Sequence, residues 1–456
     1  MSKFKLILII ILLSLWGCTT KNEWVKETQL TFDTNNHSLD NNDNFSPDGQ
    51  WLVYDTRKKD GGIRMGQTIE KVNINSKQIV IVYRSPNAGE TGPGTGTVSY
   101  HPTENVVVFI HGLLNHSNEK PYKQWRRFGM LAHGINPETH NAADARDVEF
   151  PFTPGALRGG THRHEFSGDG NWIGFTYNDA LMAKKGSIFN LRTMGVTKMK
   201  NLIIINGTED GANFSGLGTS VVVVRVTPNP KPGSDQINHA ADDSWIGKFG
   251  YKKPDGTMQI SRAFLGTVIT KKGKAVKELF VVDIPEELLI PGPFGPLEGT
   301  QDEMPMPPKG TVQRRLTWTA ETQFPGCNSI VRSSLDGSQI AYLSRDKNGI
   351  QQVFLMSPLG GEPSQLTSLD TSVQSGVRWN PTGTHVCFVW NSSIVIANVE
   401  SGFWKQLTKP SKPEISALVW SPDGSMIAYN KNVYDEKLGK SFAQIFIILL
   451  NQNLLP

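Results

Sequence analysis

Apolar and polar positions along this chain follow one short rhythm. A residue, usually aromatic or apolar, precedes Ser/Asn-Pro-Asp-Gly or a degenerate form of it, and a β-rich run ending in an aromatic follows. It reads FSPDGQWLVY from Phe45, YHPTENVVVF from Tyr100, FSGDGNWIGF from Phe166, SSLDGSQIAY from Ser333, WNPTGTHVCF from Trp379 and WSPDGSMIAY from Trp420. Pro fixes φ, Asp caps the turn and Gly tolerates positive φ, so each phrase predicts a tight turn. The run behind it alternates or is continuously apolar, as in a strand buried within packed sheets. Each phrase is therefore the hairpin of one repeat.

A second echo follows several hairpins: Arg315-Leu316-Thr317, Gln365-Leu366-Thr367 and Gln406-Leu407-Thr408. It also stands ahead of the first hairpin as Gln29-Leu30-Thr31. An all-β propeller accounts for that placement, because its ring closes when a strand from one terminus completes the blade built by the other. A further blade is expected between Phe175 and Ser333, with strands near Ser220 to Thr227 and Glu278 to Ile284, which brings the expected count to seven four-stranded blades. An open sandwich or two unrelated β domains would leave the terminal echo unexplained.

The N-terminus carries a different signal. Lys3 and Lys5 precede the apolar run Leu6 to Leu13, and Leu15-Trp16-Gly17-Cys18 leads into polar residues. That run is short for a membrane span and fits a secretory signal. Cys18 after Gly17 resembles a bacterial lipobox, which implies cleavage after residue 17, lipidation of Cys18 and a tether over 18–28. Thr19 in place of Asp favours the outer membrane. Residues 29–456 form the expected single ring, with insertions at about 111–160 and 285–310. Cys327 and Cys387 remain, read as buried thiols with a bridge as the alternative.

Charge and motifs narrow the function by exclusion. The formal net charge is +4, and loss of Lys3 and Lys5 with the signal leaves +2, no footprint for nucleic acid. The chain has no G-x-S-x-G elbow, phosphate-loop motif, H-E-x-x-H or paired C-x-x-C. Seven of the ten histidines lie between His101 and His164. His162 and His164 would share one face of an extended strand and could hold a divalent metal, with a third ligand from His101, His111, His116, His133 or His140. The alternative is that these histidines pack where the blades converge. His101, His111, Arg158 and Glu165 are candidate ligand-binding residues, and Arg158 is the candidate base.

The segments Phe150 to Phe166, Thr176-Tyr177-Asn178-Asp179, Lys231 to Asn238 and Val312 to Thr317 resemble the YidR-like proteins, TolB-like propellers grouped as a domain of unknown function. The resemblance runs from Gln29 to about Tyr429 and implies a propeller with a periplasmic or surface role. More distantly, His164-Glu165-Phe166 is similar to a metal-ligand segment of oligogalacturonate lyases, in which only His164 takes a ligand's place. Two functions are expected on these grounds. The first is a monomeric, lipid-anchored module binding a cell-envelope protein, peptide or glycan. The second is a metal-dependent lyase acting on acidic oligosaccharides.

Overall fold

The computed structural model describes residues 24–39, 43–58, 62–133, 139–451 and 455–456. The signal segment and Cys18 lie outside them. The described chain folds as antiparallel sheets whose first strands converge on one cavity, the architecture of a β-propeller. Cys327 and Cys387 are both buried free thiols.

The hairpins form as their sequence requires. In four of them a Ser hydroxyl donates to an Asp carboxylate at 2.5 Å, in the pairs Ser46–Asp48, Ser167–Asp169, Ser334–Asp336 and Ser421–Asp423. The same Ser oxygen accepts the backbone N–H that opens the next strand, as from Trp51 and Met426. Each turn is completed by a glycine at positive φ, such as Gly49 at 67° and Gly424 at 72°, where a side chain would be strained. In the turn after Tyr100, His101 does the work of the serine: its Nδ1 accepts from the N–H groups of Thr103 and Glu104 at 3.2 and 3.0 Å.

The Gln-Leu-Thr echo is a docking device. Leu316, Leu366 and Leu407 donate their N–H to the adjacent strand, and Thr317, Thr367 and Thr408 accept an N–H from that strand through the hydroxyl. The N-terminal copy does the same against the C-terminal strand: Leu30 N–H donates to the Ile445 carbonyl at 2.8 Å and Thr31 Oγ1 accepts from Ile445 N–H at 2.9 Å. Glu27–Gln29 pairs antiparallel with Lys440–Leu449, in one sheet with Met426–Asp435 and Ile415–Trp420. Leu30 is buried in a cluster drawn from both ends of the chain, including Phe45, Leu52, Val419 and Ile447.

The stretch between Phe175 and Ser333 is organised around an inner strand, Ile237–Trp245, with no Pro-Asp-Gly behind it. The Pro254-Asp255-Gly256 turn lies instead in a small added hairpin, Tyr251–Lys252 with Met258–Gln259. The expected strand at Glu278 to Ile284 is present as Ala275–Asp283. The one at Ser220 to Thr227 overlaps Gly216–Val222, which edges the preceding sheet by pairing with Arg192–Ile203. Residues 111–160, expected as an insertion, include two regular strands, Arg127–His133 and His140–Ala142, which complete the sheet begun by Thr95–Tyr100 and Val106–Gly112.

The terminal docking sets a stability prediction. Leu30→Ala should cost about 2–5 kcal/mol through cavity formation, and Thr31→Val about 1 kcal/mol through one lost acceptor. Urea denaturation measures both, and a Leu30→Ala protein as stable as the parent would show that this strand does not hold the ends together.

Candidate functional site

Corresponding positions along the inner strands and their hairpins surround one cavity of about 470 Å³. The aligned residues are Phe45, Tyr100, Phe166, Trp245, Ser333, Trp379 and Trp420, each paired with the first or second residue of the neighbouring strand. Three of the tryptophans tie adjacent strands together. Trp245 Nε1 donates to the Glu165 carbonyl at 3.0 Å, Trp379 to that of Arg332 at 3.0 Å and Trp420 to that of Arg378 at 3.2 Å. Where serine replaces the aromatic, Ser333 Oγ donates to the Trp245 carbonyl at 3.3 Å. The residues before the aromatic, with their carbonyls held this way, put Glu165, Arg332 and Arg378 on the cavity wall.

The electrostatics centre on these groups. Arg332 Nη1 lies 3.6 Å from Glu165 Oε1 and donates to the Asp243 carbonyl at 3.2 Å. Its Nε and Nη2 have no hydrogen-bond partner among the described residues. Burial lowers the Arg332 guanidinium well below its ordinary pKa, against the pull of Glu165. Arg262 is fully buried, paired with Asp243 and 4.0 Å from Glu165. Arg378 donates from Nε to the Leu418 carbonyl at 2.8 Å. Asp43 faces the same space; the crowding wall and Glu165 hold its carboxyl above the usual range, while Arg332 and Arg378 and the water reaching this exposed side chain limit the rise.

The histidines are placed differently from one another. Arg163 adopts φ 55° and the pairing register shifts between Gly174 and Thr176, so a β-bulge separates His162 from His164. His162 Nδ1 accepts from Arg127 at 3.1 Å, which fixes a neutral ring whose Nε2–H donates to Asn178 Oδ1 at 3.1 Å. His164 Nε2 meets Thr161 Oγ1 at 2.8 Å, and that hydroxyl donates to Asp144 at 3.2 Å. A side chain at Gly129 would collide with both Asp144 and His164. His111 is also internal, bonded to Tyr83 and the Gly112 carbonyl at 2.9 and 2.6 Å. His116 meets Thr91 at 2.8 Å, and His133 and His140 are exposed. Among the described residues no group of three His, Cys, Asp or Glu is gathered for a metal.

Arg158 is buried against Asp179 at 2.7 Å and donates to the Thr300 and Glu303 carbonyls, so it pins the proline-rich excursion at 285–310. Of the candidates read from sequence, Glu165 lines the cavity and His101 stands at its rim. The sequence reading missed Arg332 and Arg378, although both occupy the position before the hairpin that Glu165 occupies in its own repeat.

Burial sets a pH response. It lowers His111 to a pKa of about 4 and His164 to about 3, from an ordinary value of 6.5. Both are neutral in the fold and gain protons more readily when unfolded. Their contribution is intact above pH 6.5 and is lost as the pH falls towards 4 and 3. Buried Asp144, raised to about 7, works in the opposite sense over the same range. Imidazole NMR should find His111 and His164 neutral from pH 8 down to pH 5; a midpoint near 6.5 in the folded protein would contradict their environment.

The comparisons agree with this fold and supply a family. A manganese complex of oligogalacturonate lyase superposes with a TM-score of 0.53 at 13% identity, over 94% of this chain and 99% of that one. The oligogalacturonate lyase of Vibrio parahaemolyticus gives 0.54 at 12% identity, over 94% and 95%. A puromycin hydrolase gives 0.51 at 11%, over 91% of this chain and 54% of its own. At such identities the likeness is one of fold. Residues 94–211 match the model of a family described as "Protein of unknown function (DUF3748)". The uncharacterized protein YidR of Escherichia coli (strain K12) is 38% identical over 409 residues, 88% of this chain and 94% of YidR. The chain thus belongs to the family of YidR.

Proposed function

We propose that this protein is a lipid-anchored cell-envelope propeller of seven blades, closed by its terminal strands, that acts as a binding module. Its ligand is a protein, peptide or glycan bearing a carboxylate, taken at the cavity ringed by the hairpins. The observation that carries the reading is the buried, unpartnered side of Arg332. Its side chain is only 8% exposed, it lines the cavity, and Nε and Nη2 form the side-on pair of donors without a protein partner among the described residues. Two parallel N–H groups match the two oxygens of a carboxylate, and such charge-assisted pairs are the strong hydrogen bonds of recognition.

The surrounding wall refines the ligand. Tyr100, Phe166, Trp379 and Trp420 offer flat apolar surface, and Lys248 adds a cation. Asp43 and Glu165 favour a ligand that also carries donors, as a peptide terminus or a hydroxylated sugar acid does. The anchor rests on the sequence from Lys3 to Cys18. Val25, near the start of the described chain, is bonded to the Leu407 carbonyl at 2.9 Å, a position from which a tether can leave the ring.

Two outcomes are expected. In a thermal-shift and calorimetric screen of peptide and sugar carboxylates on the soluble ring, Arg332→Gln should weaken binding by about tenfold or more, and Arg332→Lys should not restore it because lysine lacks the fork. Binding unchanged by Arg332→Gln would overturn the assignment. In cells, Cys18→Ala should abolish incorporation of labelled fatty acid and release the protein from the membrane fraction; continued labelling would exclude Cys18 as the anchor.

A further inference from the structure

The arginines at the cavity mouth are not the chain's only concentration of guanidinium groups. Arg127 Nη1 and Arg192 Nε, from the first residues of the strands Arg127–His133 and Arg192–Ile203, reach the two halves of one hydrogen-bonded pair. Arg127 donates to His162 Nδ1 at 3.1 Å, His162 donates to Asn178 Oδ1 at 3.1 Å, and Arg192 donates to that same oxygen at 3.2 Å. Asn178 is oriented for this by donating its amide to Asn190 Oδ1 and the Leu191 carbonyl at 3.0 and 3.2 Å. Arg57 approaches from the first sheet, donating to Thr97 Oγ1 at 3.1 Å. Arg163, set at positive φ by the bulge, comes from the strand that carries His162.

These groups lie close enough to repel. Burial first and then Arg57 disfavour the charge on Arg127, and burial first and then Arg127 and Arg163 disfavour that on Arg192. His162, driven well below its ordinary pKa by burial first and then by Arg127 and Arg192, spaces the guanidiniums without adding charge. The nearby carboxylates are already engaged. Asp55 pairs with Arg57 at 3.1 Å and accepts from Thr97 N–H at 2.7 Å; Asp243 pairs with Arg262 and sits 3.7 Å from Arg163; Asp242 pairs with Lys277 at 2.8 Å. Counted over the described residues, the cluster therefore carries excess positive charge in partly desolvated surroundings, where a counter-ion is worth more than in bulk water. Water reaches it: the Arg57 and Arg163 side chains are 17% and 21% exposed.

We propose that Arg57, Arg127, Arg163 and Arg192 form a second anion site, separate from the Arg332 mouth, for a compact anion bearing two or more negative charges, of the phosphoryl type. Guanidiniums converging from several strands can contact different oxygens of one tetrahedral group, whereas a single carboxylate would leave repulsion between the others unrelieved. His162 then acts as a positioning residue: its neutral tautomer aims Arg127 and, through Asn178, Arg192.

The test uses inorganic pyrophosphate, with acetate as the monovalent control, on the soluble ring at low ionic strength. Calorimetry should show saturable binding of one pyrophosphate, weakened at least tenfold by Arg192→Met and by Arg127→Met, and largely retained by Arg192→Lys and by Arg332→Gln. In anion-free buffer Arg192→Met should melt at a higher temperature than the parent while gaining less from pyrophosphate, a combination that simple damage to the fold does not produce. Absence of saturable binding, or binding indifferent to Arg192→Met, would overturn the site. Equal loss in Arg332→Gln would place the anion at the mouth instead and overturn it as well, leaving the carboxylate reading to its own test.

Discussion

One hydrogen bond, made at three places around the cavity, ties its inner strands together: an indole donating to the carbonyl of Glu165, Arg332 or Arg378, the residue just before the aligned position of a neighbouring strand. Trp245, Trp379 and Trp420 make it, whereas the Ser333 hydroxyl bonds to the carbonyl of Trp245 itself. A buried donor left unmade is costly, so each bond holds two sheets in one relative position. It also fixes the orientation of the residue whose carbonyl it uses. Glu165, Arg332 and Arg378 are those residues, which is why a structural link between sheets also lays out the charges of the cavity.

The second constraint is the bulge within the inner strands. Register shifts accompany positive φ at Thr97, Arg163, Asp242, Ser329 and Ala417. Each shift re-aims the residues on its two sides, as bulges near functional sites commonly do. In the strand Gly159–Phe166 it sends His162 towards Arg127 and Asn178, His164 towards Thr161, and Glu165 to the cavity. His162 and His164 are thereby bonded to neighbouring side chains, and Arg332 keeps two donors without a hydrogen-bond partner among the described residues.

The sequence was most legible where structure is local. Ser-Pro-Asp-Gly closes its turn with its own side chains, so the hairpins at Phe45, Phe166, Ser333 and Trp420 could be read directly. Gln-Leu-Thr was legible for the same reason, since one threonine hydroxyl marks each docked strand. The repeat ending at Trp245 was not, because Ile246-Gly247-Lys248 lacks the Asp that caps four of the other turns and the Pro-Asp-Gly of that region lies in an added hairpin. The shared face expected of His162 and His164 did not form, because a two-residue spacing gives one only in a regular strand and Arg163 breaks the regularity. Arg332 and Arg378 left a signal that only alignment of the repeats exposes: each stands immediately before the hairpin, where Glu165 stands in its own repeat.

The proposed binding role turns on the unpartnered side of Arg332. The most direct measurement is an experimental structure of the soluble ring soaked with a polycarboxylate such as citrate and with manganese. The account predicts a carboxylate bound side-on by Nε and Nη2 of Arg332, with Tyr100, Trp379 or Trp420 against the ligand, and no metal on His162 or His164. Manganese held by those two histidines, with Arg332 still open, would contradict it and return the metal-dependent reading to first place.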